Sequence, residues 1–202
     1  MSKQTIWNYL KTHTALSDEA IAGIMGNMEA ESNCESCRLQ GDFSPDRSSS
    51  KAYAAAINNG TKSIESAAQD QLGFGLCQWT FPQRKVNCFN ACRSYGVGIE
   101  NESAQLAFML AEMQMEFTNM WNRLLITHDI GEAAGLMCRE YERPAVLNIT
   151  DRTRFGQKIY AQFHGKDITP EPEPEPSPSP VPSDDRTDKI IALLEQIIAL
   201  LK

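Results

Sequence analysis

Nowhere in this sequence do about eighteen apolar residues run together, so no segment is a candidate to cross a bilayer as a helix. Cations are not in excess either. The net charge is −7 at pH 7, whereas a nucleic-acid binder of this size would show a basic face, so no nucleic-acid partner is expected. There is no G-x-x-x-x-G-K phosphate loop, no H-E-x-x-H zinc motif and no internal repeat of 20–50 residues. No cofactor is expected. The opening MSKQTIWNYL has no apolar core of the kind a secretory signal needs, so synthesis without a signal peptide, in a cytoplasm, is expected. Proline is scarce until late in the chain: only Pro45, Pro82 and Pro144 precede residue 165, and the other seven crowd between Pro170 and Pro182.

That change in composition divides the chain. Residues 1–165 are long enough for one domain with its own core. Residues 166–183, containing PEPEPEPSPSPVP, read as an extended polyproline spacer of roughly 40 Å at about 3.1 Å per residue. Residues 184–202 read as an amphipathic helix in which IIALLEQ is almost repeated. Ile190 and Ile197 at a, with Leu193 and Leu200 at d, form one seam, and Ile191, Leu194, Ile198 and Leu201 form a second beside it. Two seams on so short a helix call for partners, and a homo-oligomer of three or four chains through residues 190–202 is expected. Insertion into a membrane surface is the other reading, and the few cations on the polar side weigh against it.

Within the first 165 residues the pattern is mostly helical. Residues 4–12 form one amphipathic stretch. Ser17 then reads as an N-cap with Asp18 and Glu19 in the first turn, starting a helix that runs to Glu31 and stops near Ser32-Asn33. Further helices are expected over Lys51–Asn58, over Arg84–Tyr95, and over Glu102–Ile126 as one long central helix. Another would be capped by Asp129 and end before Pro144, and a last one, capped by Thr150 or Asp151, would bury Phe155, Ile159 and Phe163. Gly73-Phe74-Gly75 marks a tight backbone.

Glu31 is the first chemical candidate. It falls in the last turn of its helix, where the macrodipole disfavours a negative charge, and apolar Met28 and Ile24 at one-turn spacing add desolvation, so the proton-bearing form suited to a general acid is favoured. A solvated glutamate at a helix end is the alternative. Glu29 competes for the role, but it lies about 200° around the helix, so only one of the two can face a cleft.

The ordered set AGIMGNMEAES, LQ, AYAAAINNG, D-x-x-GFGLCQWT-x-x-x-R, SYGVGI, QLAFMLAEM and YERP, spread over residues 17–164, resembles the phage lysozyme family of tail proteins and endolysins of Gram-positive phages. The resemblance implies a mainly α, lysozyme-like α+β fold related to goose-type lysozymes and lytic transglycosylases. It also implies cleavage of the β-1,4 bond after N-acetylmuramic acid in bacterial peptidoglycan, by a protein made in the host cytoplasm and acting on the wall. By the same resemblance Glu31 is the acid, Gln78 binds sugar acetamido groups, and Trp79 and Tyr141 line the cleft. Asp70 and Asp42 are the candidates for a second acid, with Asp46 beside them, although a substrate-assisted mechanism would need none. Asp70 reads more readily as structural. Cys77 departs from the family pattern, where the residue before the glutamine is often small.

Other readings stay open on the residues alone. Trp79 and Tyr141 suit a core as well as a sugar platform, and Gln78 can satisfy a turn. Cys34-x-x-Cys37 with Cys88-x-x-x-Cys92 has loose zinc-ligand spacing, against which stand disulfides and reduced buried thiols. Cys77 with His128 would make a cysteine peptidase, though no third orienting residue can be named. An inactive glycan-binding module and a transglycosylase are the remaining alternatives.

Overall fold

A computed structural model describes residues 3–166; the polyproline spacer and the heptad helix lie outside the described residues. Among the described residues the architecture is mainly helical. Its elements are α1 (Lys3–His13), α2 (Asp18–Ser32), α3 (Ser48–Asn58), α4 (Ile64–Ala68), α5 (Pro82–Ser94), α6 (Glu102–Glu116), α7 (Thr118–Ile126), α8 (Ile130–Leu136), a π-helical segment Met137–Glu142, and α9 (Ile149–Phe163). The β part of the expected α+β fold is reduced, among these residues, to two isolated antiparallel bridges, Leu39 with Phe74 and Phe74 with Trp79.

The central helix is α2 and not α6 as expected. Every residue from Ala20 to Met28 is buried, so α2 is enclosed on all sides by α1, α8, α9 and the π segment. Its start is the expected one, with the Ser17 hydroxyl accepting from the Ala20 N–H at 3.0 Å. Its end is set by Asn33, whose left-handed backbone (φ 59°) turns the chain out while its N–H still reaches the Glu29 carbonyl at 3.0 Å.

Three further expectations are corrected. The single helix over Glu102–Ile126 is two, broken at Phe117 (φ −123°, ψ 38°), with the Thr118 hydroxyl returning to the Gln114 carbonyl. Neither proline nor glycine marks that break; the Phe117 ring packs edge-on against Tyr141, 5.2 Å between centroids, and tertiary packing decides it. The helix after Asp129 passes into the π segment rather than ending as a regular α-helix. Asn148, not Thr150 or Asp151, caps α9, and the buried face of α9 is Arg152, Gly156, Ile159 and Phe163, with Phe155 only half-buried.

The crossing of α2 with α9 sets that buried face. A Cβ on Gly26 would lie 2.3 Å from the Arg152 carbonyl oxygen, and one on Gly156 would lie 2.8 Å from the Ala22 carbonyl oxygen. Glycine at both positions lets the two backbones touch. The Arg152 side chain is thereby carried to the end of α2.

Candidate active site

Glu31 sits at that end. Arg152 donates to its carboxylate at 2.5 Å through one terminal nitrogen and to the buried Asn27 side chain at 2.9 Å through the other. Arg152 itself is only 5% exposed. The apolar surround expected from Met28 and Ile24 is therefore not what the carboxylate meets: both side chains are sunk in the core, and the partner of Glu31 is a cation. Glu29 points elsewhere, to Lys3 on α1 at 2.7 Å. The two glutamates do face different surfaces.

The residue after Glu31 ties α2 to the glycine-rich turn. The Ser32 hydroxyl donates to the Leu76 carbonyl at 2.9 Å, and Gln105 on α6 holds the same turn by accepting from the Leu76 N–H at 2.9 Å. The other end of the Gln105 amide donates to the carbonyls of Ser36 and Ile99. A side chain on Gly75 (φ 81°) would collide with the Gln105 amide at 2.6 Å, which accounts for glycine there. Gln78 (φ 46°) donates to the carbonyls of Arg38 and Gly75, both at 3.0 Å, so its amide N–H groups serve the turn. Trp79 is 2% exposed and Tyr141 0%. Neither presents a face on which a sugar could stack. Trp79 instead donates to the Tyr141 hydroxyl at 3.3 Å, and Tyr141 donates to Glu112 at 2.6 Å.

Beside these buried aromatics opens a cavity of about 970 Å³ whose walls include Phe81, Arg84, Glu112, Phe117, Tyr141 and Glu142. Arg84 spans it with a two-pronged pair to Glu112 at 2.7 and 2.8 Å and a bond to the Tyr141 carbonyl at 3.0 Å, its guanidinium lying over the Tyr141 ring. Phe81, 66% exposed, is the aromatic face this cavity offers to a ligand. Sequence reasoning missed Phe81, Glu112, Glu142 and Arg152. Glu142 stood in the quoted YERP block, but no pattern in the sequence marked it as lining a cavity. Burial and the negative charge of Glu31 push the Glu142 carboxyl well above the usual range against the opposing pull of Arg84 and Arg152. Its Oε1 is buried and has no hydrogen-bond partner among the described residues.

None of the expected second acids lines this cavity. Asp70 accepts from Lys62, Lys85 and Tyr53 at 2.7, 2.7 and 2.9 Å and from the Leu72 N–H at 3.0 Å. Burial opposes its charge, but Lys62 and Lys85 outweigh that and hold the carboxyl at about 2. Asp42 is bound by the hydroxyls and N–H groups of Ser44 and Ser50, which lower it strongly. Asp46 accepts from the Ser48 N–H at 3.2 Å. All three act within the loop structure between α2 and α5.

The cysteines are free thiols, with Cys37 half-buried and the others buried. Among the described residues no three Cys, His, Asp or Glu side chains gather as metal ligands, so Cys34, Cys37, Cys88 and Cys92 do not form the zinc set that their spacing allowed. Cys77 and His128 are likewise separate. The Cys77 thiol packs on the Met109 sulfur at 3.6 Å, and burial pushes its pKa well above the usual thiol value so that it stays protonated, while His128 is 78% exposed beside Glu19.

Residues 2–163 match the family model described as phage tail lysozyme. The chain belongs to the phage tail lysozyme family. Membership makes it a lysozyme-like, peptidoglycan-lytic protein whose family acts on the cell wall. A comparison with curated proteins finds no match. Among the described residues no helix is long and apolar enough to cross a membrane.

Proposed function

We propose that the chain hydrolyses the β-1,4 bond between N-acetylmuramic acid and N-acetylglucosamine in peptidoglycan, with Glu31 as the general acid. The observation that carries this reading is the Ser32 to Leu76 bond, which joins the two most specific blocks of the sequence, E-S and G-L-C-Q-W, at the end of the helix bearing Glu31. Protonation of the glycosidic oxygen by Glu31 makes the leaving sugar neutral. The positive charge that develops at the muramic acid C1 is then taken by water.

In this reading Gln78 and Trp79 serve the reaction by holding the glycine-rich turn that Ser32 ties to the end of α2, and Tyr141 and the exposed Phe81 line the neighbouring cavity, with Phe81 the ring against which a sugar packs. The fold is read as related to goose-type lysozymes and lytic transglycosylases. The bond broken and the fate of C1 are separate questions. Mass spectrometry of muropeptides released from Gram-positive walls is expected to show reducing muramic acid ends; 1,6-anhydro ends as the main product would make the enzyme a lytic transglycosylase. In a zymogram Glu31→Gln loses clearing and Glu29→Gln keeps it. Retention of more than about a tenth of the activity by Glu31→Gln would refute the assignment.

The family description favours a second reading of the setting, in which the enzyme is carried in the virion tail rather than released for lysis. Detection of the chain in purified virions decides between them.

A further inference from the structure

The cavity that holds Phe81 continues into a second, smaller one of about 440 Å³, and Glu116, Phe117 and Arg143 wall both. The two differ in chemistry. Phe81, Phe117 and Tyr141 bring aromatic rings to the first, whereas Thr118, Asn119, Arg139, Glu140 and Arg143 make the second polar. Such a groove suits a ligand with a ring at one end and an ionised arm at the other.

Two arginines stand in the polar part. Arg143 follows the π-helical segment in a left-handed backbone (φ 52°), and its guanidinium is fixed by a bond from Nε to the Glu140 carbonyl at 2.8 Å and by the Phe117 ring, whose centroid is 5.5 Å away. Arg139 lies within that segment and packs over Gly135: a Cβ there would come 2.7 Å from a terminal nitrogen, so glycine leaves the space the guanidinium fills. Among the described residues neither arginine has a carboxylate partner, whereas Arg47 holds Glu35, Arg84 holds Glu112, Arg123 holds Glu140 and Arg152 holds Glu31. Arg93 also lacks an acid, but it donates to the Ile57 carbonyl at 3.1 Å. Two guanidinium groups that share one hollow without an acid repel each other and gain from an anion bound there. The acids of the hollow do not take that place. Glu140 is engaged by Arg123 at 2.9 Å, and Glu116 is exposed at the end of α6.

We infer that Arg139 and Arg143 form a subsite for a carboxylate of the peptide borne by muramic acid, so that the enzyme takes glycan carrying its peptides in preference to bare glycan. The inference rests on the peptidoglycan reading of the neighbouring cavity. The lactyl group of muramic acid carries a short peptide with free carboxylates, so a sugar against Phe81 brings such a group to the adjoining hollow on the same molecule. Forked pairing of guanidinium with carboxylate supplies the recognition. Thr118 and Asn119 offer a hydroxyl and an amide to the peptide backbone. A phosphate-rich wall polymer fits less well, because Glu116 and Glu140 would face its repeated negative charges.

The test measures by calorimetry how the full chain binds N-acetylglucosaminyl-N-acetylmuramyl-peptide, which lacks the bond to be cleaved, with its peptide carboxylates free or converted to amides. Steady-state hydrolysis of solubilised, phosphate-free glycan in the same two forms runs alongside. In the wild type the free-carboxylate form binds about tenfold tighter and its KM is lower by about that factor, with kcat little changed. Arg139→Gln combined with Arg143→Gln brings both ratios to about one, and Arg139→Gln alone lowers them part-way. Equal binding of the two forms by wild type, or a double variant that keeps the preference, overturns the proposal. So does arginine-dependent binding confined to phosphate-bearing glycan, which would assign the two side chains to an anionic wall polymer. Both are exposed, so the fold is expected to survive; should the double variant fail to fold, wild type and Arg139→Gln decide, and an undiminished ratio in Arg139→Gln overturns the proposal. A wild type that shows the preference in binding but releases no glycan fragments sinks the glycosidase reading and keeps the subsite. Cleavage without the preference sinks the subsite alone.

Discussion

Arg152 reaches the Glu31 carboxylate at 2.5 Å because no side chain separates the backbones of α2 and α9 where they cross. The contact joins residues 121 apart in the chain and is made from a helix whose buried face is set by Gly156. The candidate catalytic carboxylate is positioned by backbone packing first and by its ion pair second.

Gly26→Ala tests that order. The new methyl would meet the Arg152 carbonyl at 2.3 Å, a backbone atom that cannot swing away. Overpacking of this kind costs about 1–3 kcal/mol, so the melting temperature falls, and activity falls with it as α9 is displaced. An unchanged melting temperature would show that the crossing tolerates a wider gap.

Arg152→Lys keeps the charge but cannot bond Asn27 and Glu31 together in the planar fork. The buried Asn27 oxygen then loses its Arg152 partner, a loss of about 1–3 kcal/mol in denaturant unfolding. Unfolding free energy equal to wild type would mean that the lysine reproduces both bonds.

The Asp70 cluster predicts an acid limb of stability. The folded carboxyl sits at about 2, below its ordinary value of 3.8, so the unfolded chain takes up its proton first as pH falls. The stabilisation is complete above about pH 4 and is lost as pH drops toward 2. Asp70→Asn removes this dependence and leaves the fully buried Lys85 ammonium without its carboxylate, at about 3–5 kcal/mol. A wild type and variant with parallel stability-against-pH curves between pH 4 and 2 would contradict it.

For the tail, the expectation rests on the heptads alone. Sedimentation of the full chain should give three or four subunits and a truncation after Gly165 a monomer. A monomeric full chain would remove oligomerisation from the account. If the truncated domain keeps its rate on soluble glycan but loses it on intact walls, the helix acts through avidity.

Sequence alone determined what depends on neighbours along the chain. Ser17 as an N-cap, the stop at Asn33 and the opposite facing of Glu29 and Glu31 were legible, because capping and a 3.6-residue period are local. The family too was legible, since its motifs are short and ordered. Tertiary structure decided the rest. The apolar period runs unbroken through Phe117, yet packing against Tyr141 splits the helix there. Trp79 and Tyr141, expected in the cleft, are buried behind it, because their polar atoms bond each other and Glu112. The meeting of Glu31 and Arg152 depends on two segments far apart in sequence, brought together where two glycines allow close approach, and no local pattern encodes that distance.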